Sequence, residues 1–156
     1  MKQFNAQSLT RLYAGIAAIQ ERYADRLFCD SILPLRWLKK MAYLGTLTFH
    51  HRTQWANTAA AKPWVMPCTA GETSAVIDFD GRVRACELRK PIGDLRENDM
   101  NFKLFWESEP RRSEPGKIAC DGCWCSHVCF IHDSMRYSWR ARLWDVPKNF
   151  LLRKAW

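Results

Sequence analysis

Six cysteines constrain this chain more than any other feature: Cys68 and Cys86 stand upstream of a dense group, Cys120, Cys123, Cys125 and Cys129. Twelve residues separate Cys68 from Gly81, and four more separate Gly81 from Cys86. The dense group lies within Cys-Asp-Gly-Cys-Trp-Cys-Ser-His-Val-Cys. A thiolate is a soft ligand that suits iron–sulfur clusters, zinc and Cu(I), and four such ligands hold one cubane cluster. The spacing reads as an iron–sulfur site that clamps two remote stretches of chain together. Cys29 is isolated near a helix end and reads as a small buried hydrophobe.

With 156 residues there is room for one domain, or one small domain with a helical extension. No stretch approaches roughly 20 consecutive apolar residues, the length a membrane-spanning helix needs. The N-terminus lacks an apolar signal core and a small-residue cleavage site. The expectation is a cytoplasmic protein with no membrane partner. In a reducing compartment, clustered cysteines favour metal or redox chemistry over disulfides. The formal charge of +8 is uneven, with nine Lys/Arg against three Asp/Glu in residues 1–67 and fifteen against thirteen beyond. The basic residues are scattered along apolar helices, which reads as a solvated or partner-facing surface, and bound thiolates would offset part of the charge. No paired carboxylates, Gly-rich phosphate loop or nucleophile elbow is present.

The expected fold class is α+β: N-terminal helices, then a small β-hairpin and a cysteine-clamped loop with short helices. Leu9, Leu12, Ile16, Ile19, Tyr23 and Leu27 recur at helical steps and predict an amphipathic helix over 6–27, with Asn5 or Ser8 as its cap. A second helix is expected over about 35–47, with Leu35, Leu38, Met41 and Leu44 inward and Pro34 in its first turn. Residues 48–67 read as a connector, and the adjacent His50 and His51 should point apart rather than act as ligands. Residues 74–78 and 82–87 read as a hairpin turned at Phe79-Asp80-Gly81, since Gly accepts positive φ without cost. That pairing brings Cys86 back toward Cys68. A turn at Pro91–Leu95, a short helix over 101–108 capped by Asp99 or Asn101, a charged loop over 109–117 and a helix over 130–143 complete the reading. The organisation expected is a helical segment at 1–67, an iron–sulfur domain at 68–133 and a basic aromatic tail at 134–156.

The run from Cys68 to Cys129 resembles the C-terminal auxiliary-cluster region of radical S-adenosylmethionine enzymes, the SPASM/twitch family. The resemblance rests on Cys68-x12-Gly81-x4-Cys86, Ile92-Gly93-Asp94-Leu95, Phe105-Trp106-Glu107-Ser108 and the cysteine group in that order, about 62 of 156 residues. The longer form of that family carries C-x2-C-x5-C-x3-C and a later cysteine, and it binds two clusters. Here Cys120-x2-Cys123-x5-Cys129 fits the first part, Asp133 stands at the next position, and no cysteine follows. The resemblance therefore implies the shorter form with one [4Fe–4S] cluster. Its ligands would be Cys68 and Cys86, with two more from Cys120, Cys123, Cys125 and Cys129. Cys129 with Cys123 or Cys125 is the preferred pair, and Cys120 the spare. Trp124 and Phe130 would shield the cluster, and His127 and His132 would stand around the site or at the surface.

Cys125-x3-Cys129-x2-His132 imitates the radical enzymes' own C-x3-C-x2-C signature, but only 24 residues follow His132, too few for a βα barrel. The chain thus resembles the back end of such an enzyme without its S-adenosylmethionine-cleaving site. The resemblance implies a module for electron transfer or substrate positioning. Its partners would be a separate radical core domain or subunit, which would bring S-adenosylmethionine, and a peptide substrate. Two other functions fit parts of the chain. Zinc takes four thiolates, and Cys120-x2-Cys123 is zinc-like spacing. The basic, Trp-bearing tail also has the ingredients of a nucleic-acid surface, without a recognised motif. Glu87, next to Cys86, reads as a solvated strand end.

Overall fold

The computed structural model describes residues 5–156 and has an α+β architecture. Helix α1 spans Ala6–Leu27, and the Asn5 side chain caps it by accepting from the Gln7 N–H. Helix α2 runs from Leu33 to Ala60, with Pro34 in its first turn. The connector expected after residue 47 is therefore mostly helix. No Gly or Pro interrupts 46–62, and the alanines near its end are the best helix formers. The helix closes at Ala61, whose φ of 48° is left-handed, with Lys62 N–H returning to the Ala56 carbonyl at 3.1 Å and Pro63 beyond.

The chain divides into two compact units. One comprises the chain up to Met66 together with Cys125–Trp156, and the other is Pro67–Trp124. In the helical unit, α1 and α2 are joined by α5 (Val128–Tyr137) and α6 (Val146–Leu151), with a π-helical turn at Ala141–Asp145 between them. The segment 134–156, read as a tail, is helical through Leu151 apart from a break at the extended Ser138, and its last helix packs along α2. Phe49, Met66, Ile131, Met135, Ala141 and Val146 form one core, while Ala24, Leu44 and Phe150 form another. Arg52 fixes the C-terminus on α2, donating to Asn149 Oδ1 at 3.1 Å, to the Leu152 carbonyl at 2.8 Å and to the Ala155 carbonyl. The apolar stripe expected to bury α1 does so only in part. Leu9 is buried, but Leu12, Ile19, Tyr23 and Leu27 are exposed, as are Leu35 and Leu38 on α2.

The smaller unit is built on a three-stranded antiparallel sheet of β1 (Val76–Ile77), β2 (Arg82–Arg84) and β3 (Gly93–Asp94). Val76 faces Arg84, Ile77 faces Val83, and Gly81 makes the reversal with φ of 87°. The strands are shorter than the sequence suggests, and the expected turn at Pro91–Leu95 supplies the third strand, with Val83 opposite Gly93. Gly93 is needed there because a Cβ would lie 2.6 Å from the Phe105 ring. Phe105 comes from α3 (Phe102–Trp106), capped by the Asn101 side chain, and it packs with Val83 and Leu95. The charged loop expected at 109–117 is instead part of helix α4, Glu109–Cys120. Pro110 sits in its first turn, where no N–H is required, and Glu109 and Lys117 complement its two ends.

Candidate metal centre

Four of the six candidate thiols belong to the smaller unit: Cys68, Cys86, Cys120 and Cys123. Cys125 and Cys129 belong to the helical unit, as does Cys29, which is exposed rather than buried. All seven thiols are free. Within the smaller unit each thiol sits at the end of an element or in a turn. Cys68 precedes a tight turn in which Glu72 and Thr73 N–H groups return to the Thr69 carbonyl. Cys86 lies in the turn after β2. Cys120 is the last residue of α4, and Cys123 follows the left-handed Gly122, its N–H bonded to the Ile118 carbonyl at 3.2 Å.

A buried carboxylate, Glu114, ties these stretches together. It lies on α4, six residues before Cys120, and is only 3% exposed. Arg89, three residues after Cys86, donates from Nε to Glu114 Oε1 at 2.5 Å and from Nη1 to Asp121 Oδ2 at 2.9 Å. Arg89 thus links the turn after Cys86 to both the body of α4 and the residue after Cys120. Asp121 first, then Glu114, hold the guanidinium above its ordinary value against the cost of burial. The Cys68 turn reaches the same point. A Cβ on Gly71 would lie 3.1 Å from the Ala85 Cβ and 3.7 Å from Glu114 Cγ, and Arg111 on α4 donates to the Glu72 carbonyl at 2.9 Å. Neither Arg89 nor Glu114 is recognisable from sequence as part of a site.

The Cys86 thiol is buried, and burial pushes it up. The backbone N–H groups of Leu88 and Arg89 pull it down, while charge on Cys123 and Glu87 pushes it up. Among the described residues, no group of three or more His, Cys, Asp or Glu side chains converges in a metal-holding arrangement. The donor chemistry nevertheless fits an iron–sulfur cluster. Four free thiols lie within one small unit, and thiolates are the donors that such clusters take.

In the helical unit, the His127 N–H donates to Cys125 Sγ at 3.4 Å. The Trp64 indole N–H donates to the Cys125 carbonyl at 2.7 Å. Phe130 is buried, and Cys129 is exposed on α5. His50 and His51 do not point apart. Both are buried, with rings 5.5 Å from each other, and they extend an array with His132 at 4.6 Å from His50 and Tyr13 at 5.3 Å from His51. Burial pushes His50 down to about 4, and the neighbouring His132 and His51 add to this. A neutral buried imidazole stabilises the fold above the unfolded value near 6.5, and that contribution is lost as pH falls from there toward 4. Acidification from pH 7 to 5.5 is expected to cost about 1 kcal/mol through this group. Urea titrations at the two pH values should show a smaller acid loss in His50→Gln, and an unchanged loss would contradict the assignment.

No protein family, curated protein or solved structure matches this chain. No helix of the described residues is long and apolar enough to cross a membrane.

Proposed function

We propose that this chain is an auxiliary iron–sulfur module that binds one [4Fe–4S] cluster and serves electron transfer or substrate positioning beside a radical S-adenosylmethionine core. The observation that carries the reading is the Glu114 hub, which ties the segments bearing Cys68, Cys86, Cys120 and Cys123 into one unit. These four thiols are the ligand set we favour, so Cys120, the spare in the set that the resemblance implies, takes the place given there to Cys129. A bound cluster would supply a one-electron carrier or an iron site for a substrate group. The protein supplies the soft donors and the burial that sets the potential. Since metal must displace the Cys86 proton, loading should release protons and strengthen with rising pH.

The test is anaerobic reconstitution of the full chain with iron and sulfide, followed by metal and sulfide analysis and visible spectroscopy. About four irons and four sulfides per chain, with broad brown absorbance, are expected. Cys86→Ala should lose most of that iron, whereas Cys29→Ala should keep it. A colourless protein holding zinc would replace this reading with the structural zinc one, because zinc has a filled d shell. Iron retained in full by both Cys86→Ala and Cys68→Ala would sink the ligand assignment.

A further inference from the structure

The C-terminal part of the helical unit carries a groove that the cluster reading does not use. Arg136 and Tyr137 at the end of α5, with Trp139 and Arg142 beyond it, line an open space of about 470 Å³. That volume lies within the range of small-molecule sites. Arg142 lies over the Trp139 ring, 5.0 Å from its centroid. Trp139 is 69% exposed and Tyr137 57% exposed, so both present aromatic surface to solvent rather than to a core. Neither Arg136 nor Arg142 is paired with a carboxylate of the described residues, whereas Arg140 between them is taken by Asp145 at 3.6 Å. The surrounding unit is strongly basic. It contains fifteen Lys/Arg against five Asp/Glu, a formal +10, while the smaller unit holds nine against eleven, or −2.

Two unpaired guanidiniums recognise a phosphate, with Arg suited to the fork geometry. Two exposed aromatic faces recognise a planar ring, and every nucleobase has one. The two features lie in one groove at the scale of a single nucleotide. An inorganic anion would use the arginines but gain nothing from the stacking faces. We propose that this groove binds a nucleotide unit, with the phosphate held by Arg136 and Arg142 and the base stacked on Trp139 or Tyr137. The unit is supplied either as a free mononucleotide or as one link of a single strand. The site is independent of the iron–sulfur reading, and its test needs no cluster.

Binding of a fluorescein-labelled oligouridylate to the full chain is followed by anisotropy across a salt series, with unlabelled UMP and inorganic phosphate as competitors. Trp139→Ala should weaken binding about tenfold, a typical loss for one stacked base. Its dependence on salt should not change. Arg136→Ala/Arg142→Ala should lower the slope of log affinity against log salt by about 0.7, the contribution of one neutralised phosphate of a single strand. Arg11→Ala/Arg22→Ala on α1 removes the same charge and should weaken binding much less. Competition by UMP, lost in Trp139→Ala, identifies the free nucleotide as the source, and binding restricted to the oligomer identifies the single strand. An unchanged affinity in Trp139→Ala, phosphate competing as well as UMP, equal losses in the two arginine pairs, or no binding of either probe at low salt would each overturn the proposal. Circular dichroism of each variant checks that the fold is intact.

Discussion

Arg89→Ala is expected to destabilise the smaller unit by about 3 kcal/mol, the lower end of the range for breaking a buried ion pair. The size follows from what is left behind. Glu114 has a side chain only 4% exposed, and its Oε1 takes a hydrogen bond from Arg89. Without the guanidinium, the nearest cation is the Lys117 ammonium, 3.6 Å away and mostly in solvent. That partial substitute, and the one-fifth exposure of Arg89 itself, keep the cost at the lower end. The Arg89–Asp121 contact adds little on its own, because Asp121 is exposed. Its role is to hold the turn after Cys86 beside the residue following Cys120. Two results are therefore expected together. Urea unfolding should shift to a lower midpoint with an unchanged m-value, and reconstituted iron should fall even where the folded fraction is high. Adding Glu114→Ala to Arg89→Ala should restore part of the stability, with a coupling of about 1–3 kcal/mol. A single variant within 0.5 kcal/mol of the parent would show that the pair is not a buried clamp.

That clamp also marks the limit of what the chain discloses as a string of letters. The thiols are visible because cysteine spacing carries its own chemistry. The Gly81 reversal and the Asn5 and Asn101 caps are visible because each solves a local backbone problem with a local residue. Helix α4 is not. It contains two prolines and buries only Glu114 and Ile118, so it offers no apolar period, and its stability comes from a partner 25 residues upstream. The third strand is hidden for a similar reason, since two residues pair only because Phe105 packs where Gly93 has no side chain. On α1 the periodicity is real but misleading. Leu12, Ile19, Tyr23 and Leu27 satisfy the helical step, yet the described residues leave them exposed. An amphipathic pattern states that a face is apolar, not what covers it.

Gly45→Ala shows the same non-local control with a sign reversal. In the interior of an exposed helix, replacing Gly by Ala stabilises by up to about 1 kcal/mol, through lower chain entropy and better propensity. Gly15 in α1 meets that description, with no atom within 4 Å of the position a Cβ would take. Gly15→Ala should therefore raise the melting temperature slightly. Gly45 lies where α6 crosses α2. A Cβ there would run into the Val146 carbonyl oxygen and sit 3.0 Å from Val146 Cγ1. The obstacle is largely backbone, so no rotamer change relieves it. Overpacking of this kind costs roughly 1–3 kcal/mol and outweighs the propensity gain. The net expectation is a loss of about 2 kcal/mol, seen as a fall in Tm of roughly 4–8 °C. The loss should be accompanied by weakened packing of Phe150 against Leu44 and Ala24, which share that crossing. Thermal melts of the two alanine variants side by side are the measurement. A small rise for Gly15→Ala beside a larger fall for Gly45→Ala would establish the close helix crossing, whereas a Gly45→Ala protein as stable as Gly15→Ala would mean that α6 does not lie against α2 at this point.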